Sequence, residues 1–458
     1  MELAGKTVVI VGMGRSGVAA ARVCLQRGAQ VLCNDAAPRE HLSSAALTLE
    51  ANGARIIAGG HNAVDWRAVD LIVISPGVPL FPALLEAEAD GIPVLGELDF
   101  AWQLLAPAPP TIAIGGTNGK STTTTLVGAM MEAAGRRAFV GGNLGIPLAE
   151  VVPPPGAPFS FDTLVLEVSS FQSERMPALH PRAATLLNIT PDHLDRYASF
   201  DDYANAKGNL LLRMDAGDTI IIPHHDPVCT RQARRARPGA RIVTFGPEGD
   251  VRVEAHALVD TLSGDVYPRD EIRLRGEHNV LNAAAAIALA RGAGVEHGPI
   301  RQALRNFAGL AHRIALVAEI DGVRYYDDSK GTNVGAAVAA LRGLTEPKAV
   351  LLAGGRDKQG SYEPLVAALQ ERGRALVVLG EAADRIAEAA AGVVPILRAS
   401  SMAEAVALAR EAARPGDAVL LSPACSSFDM FRDYKERGDR FTQAVLSLTG
   451  TASPGEQS

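Results

Sequence analysis

At 458 residues the chain is too long for one hydrophobic core, and it sets an expectation of about three domains of roughly 100 to 200 residues each. Its 47% hydrophobic content suffices for ordinary cores, and 44 basic against 51 acidic residues, a net charge of -7, offer nucleic acid no general attraction. No stretch approaches the roughly 18 uncharged apolar residues of a membrane span. The opening MELAGKTVVIVG lacks an export-signal pattern, and Cys24, Cys33, Cys229 and Cys425 are scattered without a CxxC pair. A reduced, cytoplasmic protein with no disulfide framework or zinc site is expected.

Thr7 to Val11 is a short β-branched run that predicts a buried parallel strand. Gly12-Met13-Gly14-Arg15-Ser16-Gly17 follows, then a helical pattern ending near Gly28. A second apolar run, Val31 to Cys33, delivers Asp35 about 20 residues beyond the loop, the dinucleotide fingerprint at its expected spacing. Taken alone this reads as an NAD site. What the loop supplies is less particular: a helix N-terminus for a diphosphate and an acid for a ribose-like hydroxyl, which any nucleotide diphosphate needs. A third strand, Asp70 to Ile74, runs into Ser75-Pro76-Gly77 at the carboxyl end of the sheet, where such ligands sit. Gly77 reads equally as plain turn chemistry.

The first domain is expected to end near Gly96, followed by a helix from Glu97 to Leu105 and a stiff connector at Pro107, Pro109 and Pro110. Next comes IAIGGTNGKSTTTT from Ile112: an apolar strand, a glycine-rich turn ending in Gly119-Lys120-Ser121, and a helix start. Glycines let backbone N–H groups close on phosphate oxygens, and the helix dipole favours negative charge there. Lys120 can reach the terminal phosphates and Ser121 can offer a hydroxyl to magnesium. The common triphosphate loop would need glycine at position 114; this chain has Ile114, and Gly115 comes one place later.

Gly141 to Gly145 is a second glycine-bracketed turn, with Asn143 as a polar contact. Leu164 to Val168 reads as a buried strand carrying Glu167, a costly carboxylate unless a cation compensates it. Magnesium shared with Ser121 and the phosphates is one compensation, and a structural arginine is the other. Ala184 to Ile189 is another strand, leading into Thr190-Pro191-Asp192-His193-Leu194-Asp195, where His193 stands at a carboxyl end beside two aspartates. Lys207 falls on a helix and by itself reads as a solvated surface lysine. Asn279 and Asn282 share one face near the start of an alanine-rich helix that runs to Arg291, placed to contact a purine or to cap the helix.

The last domain is expected from near Leu310. Ala315 to Tyr326 predicts a hairpin around Asp321-Gly322. Asp327 to Asn333 then leads into a helix, and strands at Ala349 to Leu352, Leu376 to Leu379 and Ala418 to Ser422 alternate with helices, as in a Rossmann-like sheet. Arg356, Asp357 and Lys358, and later Ser426 and Ser427, lie on loops after these strands. The tail from Thr451 is polar and expected to be loose. The fold class is therefore α/β in three domains: a Rossmann-like 1–96, a central P-loop-type ATPase domain with a mainly parallel sheet at 97–309, and a Rossmann-like 310–458.

GTNGKST from Gly116, EVSS from Glu167, TPDHLDRY from Thr190, HNVLNAAAA from His278, AHRI from Ala311 and DDSKGTN from Asp327 together resemble the Mur ligase family over essentially the whole chain. Those are the ATP-dependent amide-forming enzymes of bacterial cell-wall synthesis, and their phosphate loop also lacks the early glycine. The resemblance implies that Gly116, Thr117, Asn118, Gly119, Lys120, Ser121 and Thr122 hold ATP, with Asn279, Asn282, Arg313 and Asp328 around the nucleotide. It implies two magnesium ions, with Ser121, Glu167, His193 and Lys207 as ligands, the lysine as a carbamate. GMGRSG and LLSPACSSFDMF narrow the implied reaction to joining D-glutamate to UDP-N-acetylmuramoyl-L-alanine. Arg15, Ser16, Asp35, Gly77 and Asn143 would then meet the UDP-linked substrate. Thr332, Lys358, Ser427 and the backbone near Tyr434 would grip D-glutamate, and Lys330 would assist the phosphates. The implied chemistry is an acyl phosphate, formed on the alanine carboxylate and opened by the amine, in a monomeric cytoplasmic enzyme that takes no nucleic acid and no membrane. Three other readings stand beside it: a related ligase for another amino acid or for folate, an NAD-dependent oxidoreductase, and a non-catalytic ATP-binding switch.

Overall fold

The computed structural model describes residues 1–194, 196–274, 276–357 and 360–449. The chain forms two compact units: Met1–Ile189 with Ala204–Glu271 and Asn282–Asn306, and Thr190–Tyr203 with Ile272–Leu281 and Phe307–Ser458. The first unit carries two sheets and the second carries one, giving a three-sheet α/β architecture.

The N-terminal sheet contains β1 (Thr7–Val11), β2 (Gln30–Asp35), β3 (Arg55–Ala58), β4 (Leu71–Ile74) and β5 (Val94–Gly96), all parallel in the order 3-2-1-4-5. Val8 to Val11 are fully buried, as a β-branched strand covered on both faces requires. The order reverses between β1 and β4, which opens a crevice at their carboxyl ends. Sequence reading passed over β3 and so counted Asp70 to Ile74, observed as β4, as the third strand. The reason is that β3 is an edge strand with no fully buried residue and a weak apolar signal. The helix Arg15–Gln26 packs so closely on the preceding turn that a Cβ at Gly17 would lie 1.9 Å from the Gly12 carbonyl oxygen, which confines that position to glycine.

The central sheet contains β6 (Thr111–Gly115), β7 (Ala138–Gly142), β8 (Thr163–Glu167), β9 (Ala183–Leu186), β10 (Thr219–Pro223), β11 (Arg241–Gly246), β12 (Val251–Val253), β13 (Ala257–Asp260) and β14 (Asp265–Pro268). Its order is 14-13-12-11-10-9-6-8-7, parallel from β7 through to β12, with an antiparallel meander at β12 to β14. The phosphate-loop strand β6 is thus interior, flanked by β8 and β9, and every residue of it is buried.

The sheet of the second unit contains β15 (Ala315–Ile320), β16 (Val323–Asp327), β17 (Ala349–Gly354), β18 (Gly373–Leu379), β19 (Ile396–Arg398) and β20 (Ala418–Ala424), in the order 15-16-20-17-18-19. Asp321 and Gly322 both have positive φ, 53° and 75°, which is the tight hairpin turn the dipeptide predicts. All four cysteines are free and buried. Among the described residues, no helix is long and apolar enough to cross a membrane.

One buried carboxylate links the first two sheets. Glu97 opens the helix Glu97–Leu104 directly after β5, and its Oε1 accepts from the backbone N–H of Ala149 at 2.9 Å. Burial raises its pKa from an ordinary 4.5 to about 7, opposed by hydrogen bonding and reinforced by nearby Glu150. Below pH 4.5 the group is protonated folded or unfolded; above about 7 the folded state carries the buried charge, at a cost of about 3 kcal/mol. Glu97→Gln keeps the acceptor for Ala149. Its melting temperature should therefore gain on the wild type as pH rises through that window, then hold a constant lead. A gap that does not change between about pH 5 and about pH 8 would contradict the buried-charge cost.

Candidate active site

Strand β6 delivers the phosphate loop, and the helix Lys120–Ala133 leaves it. Gly116 and Gly119 have φ of 124° and 87°. A Cβ on Gly119 would fall 2.3 Å from the Asn282 Oδ1, and one on Gly116 3.0 Å from the Leu187 nitrogen, so the turn has no room for side chains. Asn188, at the end of the run that follows β9, pins the loop from the side. Its Oδ1 accepts from the Asn118 N–H at 2.9 Å, its Nδ2 donates to the Asn118 carbonyl at 3.1 Å, and its own carbonyl accepts from Thr117 at 2.8 Å. Sequence reading did not single out Asn188. Its signal was available: an amide at the carboxyl end of the strand next to the phosphate loop.

Lys120 curls back over the loop, its Nζ donating to the Gly116 carbonyl at 2.9 Å and the Thr117 carbonyl at 2.8 Å. Ser121 and Thr122 are buried in the first turn of the helix. Glu167 ends β8 directly beside Ile114, so the strand register sets its carboxylate next to the entry of the loop, where it is 2% exposed. Asn143 lies against that carboxylate: its Nδ2 donates to Oε1 at 2.6 Å and its backbone N–H to the Glu167 carbonyl at 2.9 Å. The amide expected at the substrate thus also orients the expected metal ligand. Lys207, on the helix Phe200–Gly208, is no surface residue. It is 4% exposed, and its Nζ donates to the Gly116 carbonyl at 2.7 Å. The solvated reading of Lys207 from its bare sequence context is corrected by this burial. Asn282 meets Gly119, and Asn279 is buried on the same helix, Glu277–Gly292.

At the N-terminal crevice, Asp35 ends β2 and accepts from the Met13 N–H at 2.6 Å and the Ala37 N–H at 2.8 Å, which ties the glycine loop to the end of β2. Arg15 reaches away from the loop, to the Gly145 carbonyl and the Glu150 carboxylate, both at 2.8 Å. Ser16 stands by the Glu97 carboxylate and favours its ionised form. Gly77 has a φ of 90° in the turn after β4. A cavity of about 500 Å³ opens here, lined by Met13, Arg15, Arg22, Asp35, His41 and Ser43 among others.

In the second unit, His193 has a φ of 54° and its N–H is accepted by Asp192, whose other carboxylate oxygen takes a 3.2 Å bond from Asn333. The neighbouring β16, β20 and β17 bring their carboxyl-end loops together. Asp328 is buried, accepts from the Ser422 hydroxyl at 2.6 Å, and has its pKa raised to about 7, chiefly by burial, while Arg313 opposes the shift. Lys330 places its ammonium 4.9 Å from the centre of the Tyr434 ring. Thr332 closes a turn on the Lys330 carbonyl, and Ser427 is buried beneath Met430 and Phe431, whose N–H groups its carbonyl accepts. Lys358 lies outside the described residues, as do Asp195 and the tail from 450. A further residue that sequence reading missed is Arg437. Fully enclosed, it donates to Ser329 Oγ at 3.0 Å, the Ser329 carbonyl at 2.8 Å and the Cys425 carbonyl at 3.1 Å, while Ser329 Oγ donates to the Tyr434 carbonyl. Burial lowers its pKa to about 10, and the guanidinium ties the loop after β16 to the loop after β20.

Three sequence families match along the chain: a Mur ligase MurD-like N-terminal domain over residues 6–96, a Mur ligase middle domain over 114–290, and a Mur ligase glutamate ligase domain over 312–425. With a phosphate loop of this construction in the middle one, the chain belongs to the Mur ligase family, ATP-dependent ligases that build peptidoglycan precursors. Solved structures at low sequence identity agree on the fold. The MurF ligase of Thermotoga maritima in complex with ADP aligns with TM-score 0.60 at 16% identity, covering 98% of this chain and 96% of that one. The UDP-N-acetylmuramate-alanine ligase MurC of the same organism aligns with TM-score 0.58 at 19% identity, covering 97% and 100%. Within the family, two relatives of higher identity carry the name UDP-N-acetylmuramoylalanine--D-glutamate ligase. That of Pelotomaculum thermopropionicum is 42% identical over 97% of this chain and 98% of its own length, and that of Syntrophotalea carbinolica is 44% identical over 98% and 99%.

Proposed function

We propose that this ligase joins the amine of D-glutamate to the alanine carboxylate of UDP-N-acetylmuramoyl-L-alanine, with hydrolysis of ATP to ADP and phosphate, as a cytoplasmic monomer. The observation that carries the reading is the buried placement of Glu167 beside a phosphate loop over which Lys120 folds back, in a chain end to end similar to relatives of that name. We assign the substrate's UDP end to residues 1–96, ATP to 97–309 and the amino acid to 310–458.

A carboxylate is a poor acyl donor, so it must first take the γ-phosphoryl group of ATP, and the acyl phosphate then yields its acyl group to the amine with loss of phosphate. The residues from Gly116 to Ser121 present backbone N–H groups and a helix N-terminus to the phosphates. Lys120 offsets charge on the moving phosphoryl group, and positioning and electrostatics supply most of the catalysis. The Ser121 hydroxyl and the Glu167 carboxylate are hard oxygen donors flanking one loop, a set that suits magnesium. A bound magnesium ion there would neutralise phosphate charge and hold the oxygens in line. Asn143 fixes the Glu167 carboxylate for that purpose. Asn282 is assigned to the nucleotide together with Asn279, Arg313 and Asp328, and Lys330 to the phosphates. Thr332, Ser427, Tyr434 and Lys358 are assigned to D-glutamate, and Arg15, Ser16, Asp35 and Gly77 to the UDP-linked substrate.

Two ammonium groups, those of Lys120 and Lys207, converge on the Gly116 carbonyl. That concentration of positive charge is costly away from water. Carbamylation of Lys207 would remove one cation and create an oxygen ligand, and we propose that modification, with His193 serving the same second ion on the strength of the family resemblance. Lys207→Ala should lose about tenfold or more in turnover and regain part of it with a short carboxylic acid in the assay. Full activity of the variant at ordinary magnesium would remove the role.

The amino-acid assignment is tested by phosphate release with ATP, magnesium, UDP-N-acetylmuramoyl-L-alanine and each glutamate enantiomer. D-Glutamate should exceed L-glutamate by about 100-fold or more. Equal release with any amino acid would sink it, and saturable NAD binding without binding of the UDP-sugar would favour an oxidoreductase.

A further inference from the structure

Four strands of the central sheet, β6, β9, β10 and β11, run parallel and side by side, so their carboxyl ends share one rim. The phosphate loop occupies the β6 end. The β10 and β11 ends carry a different cluster that plays no part in the chemistry described above. His224 and His225 follow β10 directly, and Glu248 sits in the short turn after β11. The two imidazole Nε2 atoms are 2.8 Å apart; Glu248 Oε2 lies 3.1 Å from the Nε2 of His225 and 4.0 Å from that of His224.

We propose that His224, His225 and Glu248 form a binding site for a borderline divalent transition ion, zinc or a close neighbour in the first row. Two imidazole nitrogens and one carboxylate oxygen are the donor set such ions select, and they suit magnesium poorly because it prefers oxygen ligands alone. In a tetrahedral site with metal–donor distances of about 2.0–2.1 Å, neighbouring donors are about 3.3 Å apart. The observed separations of 2.8, 3.1 and 4.0 Å bracket that value, so small side-chain rotations suffice. Water would complete the coordination, since His225 and Glu248 are largely exposed.

Two features of the backbone point the same way. His225 has a φ of 62°, a left-handed conformation uncommon outside glycine, and it is this turn that folds its ring back against His224, at 3.7 Å between centroids. The Glu248 turn is fastened at both ends. The Asp250 carboxylate accepts from the Thr244 N–H at 2.7 Å and the Thr244 hydroxyl at 2.8 Å, and Gly249 donates to the Gly246 carbonyl at 3.1 Å. His224 is joined to the same turn through its N–H bond to the Phe245 carbonyl at 2.8 Å. The donors are thus carried on two fixed loops. Among the described residues, the ion-pair partners of Glu248 are these two histidines, so no arginine or lysine takes the place a metal would fill. A second group, His180 with Asp215 and Asp218, differs on that point: Arg182 lies 3.4 Å from Asp218 and Arg237 3.6 Å from Asp215, and cations are already supplied. The absence of a zinc site inferred from cysteine spacing does not bear on a histidine-based one.

The test is a titration of the full chain with Zn²⁺ against a chromophoric chelator, alongside Co²⁺ absorption in the visible. The wild type should bind one equivalent more than His225→Ala, and Glu248→Gln should weaken that equivalent by about tenfold. His180→Ala should match the wild type. Zinc should raise the melting temperature of the wild type and leave that of His225→Ala unmoved, while metal-free melting and magnesium-dependent ligase turnover stay the same in all variants. Equal numbers and affinities of zinc equivalents in the wild type, His225→Ala and Glu248→Gln would overturn the site, as would loss of the equivalent in His180→Ala alone.

Discussion

The Gly116 carbonyl oxygen takes hydrogen bonds from two ammonium groups, and much of the first unit is arranged to make that possible. Lys120 comes from the helix the loop itself begins, and Lys207 comes from a helix nearly ninety positions further along the chain. A peptide carbonyl can accept twice, but only where the backbone turns its oxygen toward both donors. The positive φ at Gly116 and Gly119 is the turn that does so, and the pressing of Asn282 and Leu187 on those glycines keeps every other residue type out. The strand register places Glu167 beside Ile114, so the carboxylate stands at the entry of the loop that carries this arrangement. Asn188 and Asn143 are the neutral members of that arrangement. One fastens the loop and the other fastens the acid.

The second unit solves a similar problem with different groups. The end of β16 and the loop after it carry Asp327, Asp328, Ser329 and Lys330 on one side, and the loop after β20 carries Cys425 to Ser427 on the other. Arg437, buried, bonds to both sides at once. A guanidinium has several donors in a fixed plane, so one residue can satisfy several carbonyl and hydroxyl acceptors without internal freedom. His312 adds a 2.6 Å contact to Asp327, whose other oxygen accepts from the Ser329 N–H. These two loops are therefore held from behind by their own scaffold.

Much of this was legible in the sequence where local pattern and long-range role coincide. The β6 strand, its glycine turn and the helix after it are contiguous, and the period and composition of those residues announce them. The same holds for the Asp321-Gly322 hairpin and for the strand that ends in Glu167. Legibility failed where the signal is split between distant segments. Lys207 looks like any lysine on a helix until burial against Gly116 is known. Arg437 sits in a charged run, Tyr-Lys-Glu-Arg, that reads as solvent-facing, although it is 2% exposed. The strands β12 to β14 are short and lie toward the sheet edge, so they carried no clear period, whereas the apolar run of β10 was passed over although its isoleucines are buried. The fingerprint at Gly12 to Asp35 is the opposite case, a clear local signal with an over-specific first meaning. Asp35 spends one carboxylate oxygen on the Met13 N–H of the loop and the other on the Ala37 N–H of its own turn, and Arg15 bonds Gly145 and Glu150.

The central claim is that the loop from Gly116 to Ser121 serves to activate one carboxylate through phosphoryl transfer. Isotope transfer reads that step directly. With both carboxylate oxygens of the alanine in the UDP-linked substrate labelled with ¹⁸O, one label should appear in the released inorganic phosphate and the other should remain in the new amide. Phosphate released free of label while amide is formed would contradict an acyl phosphate, and with it the role given to the loop.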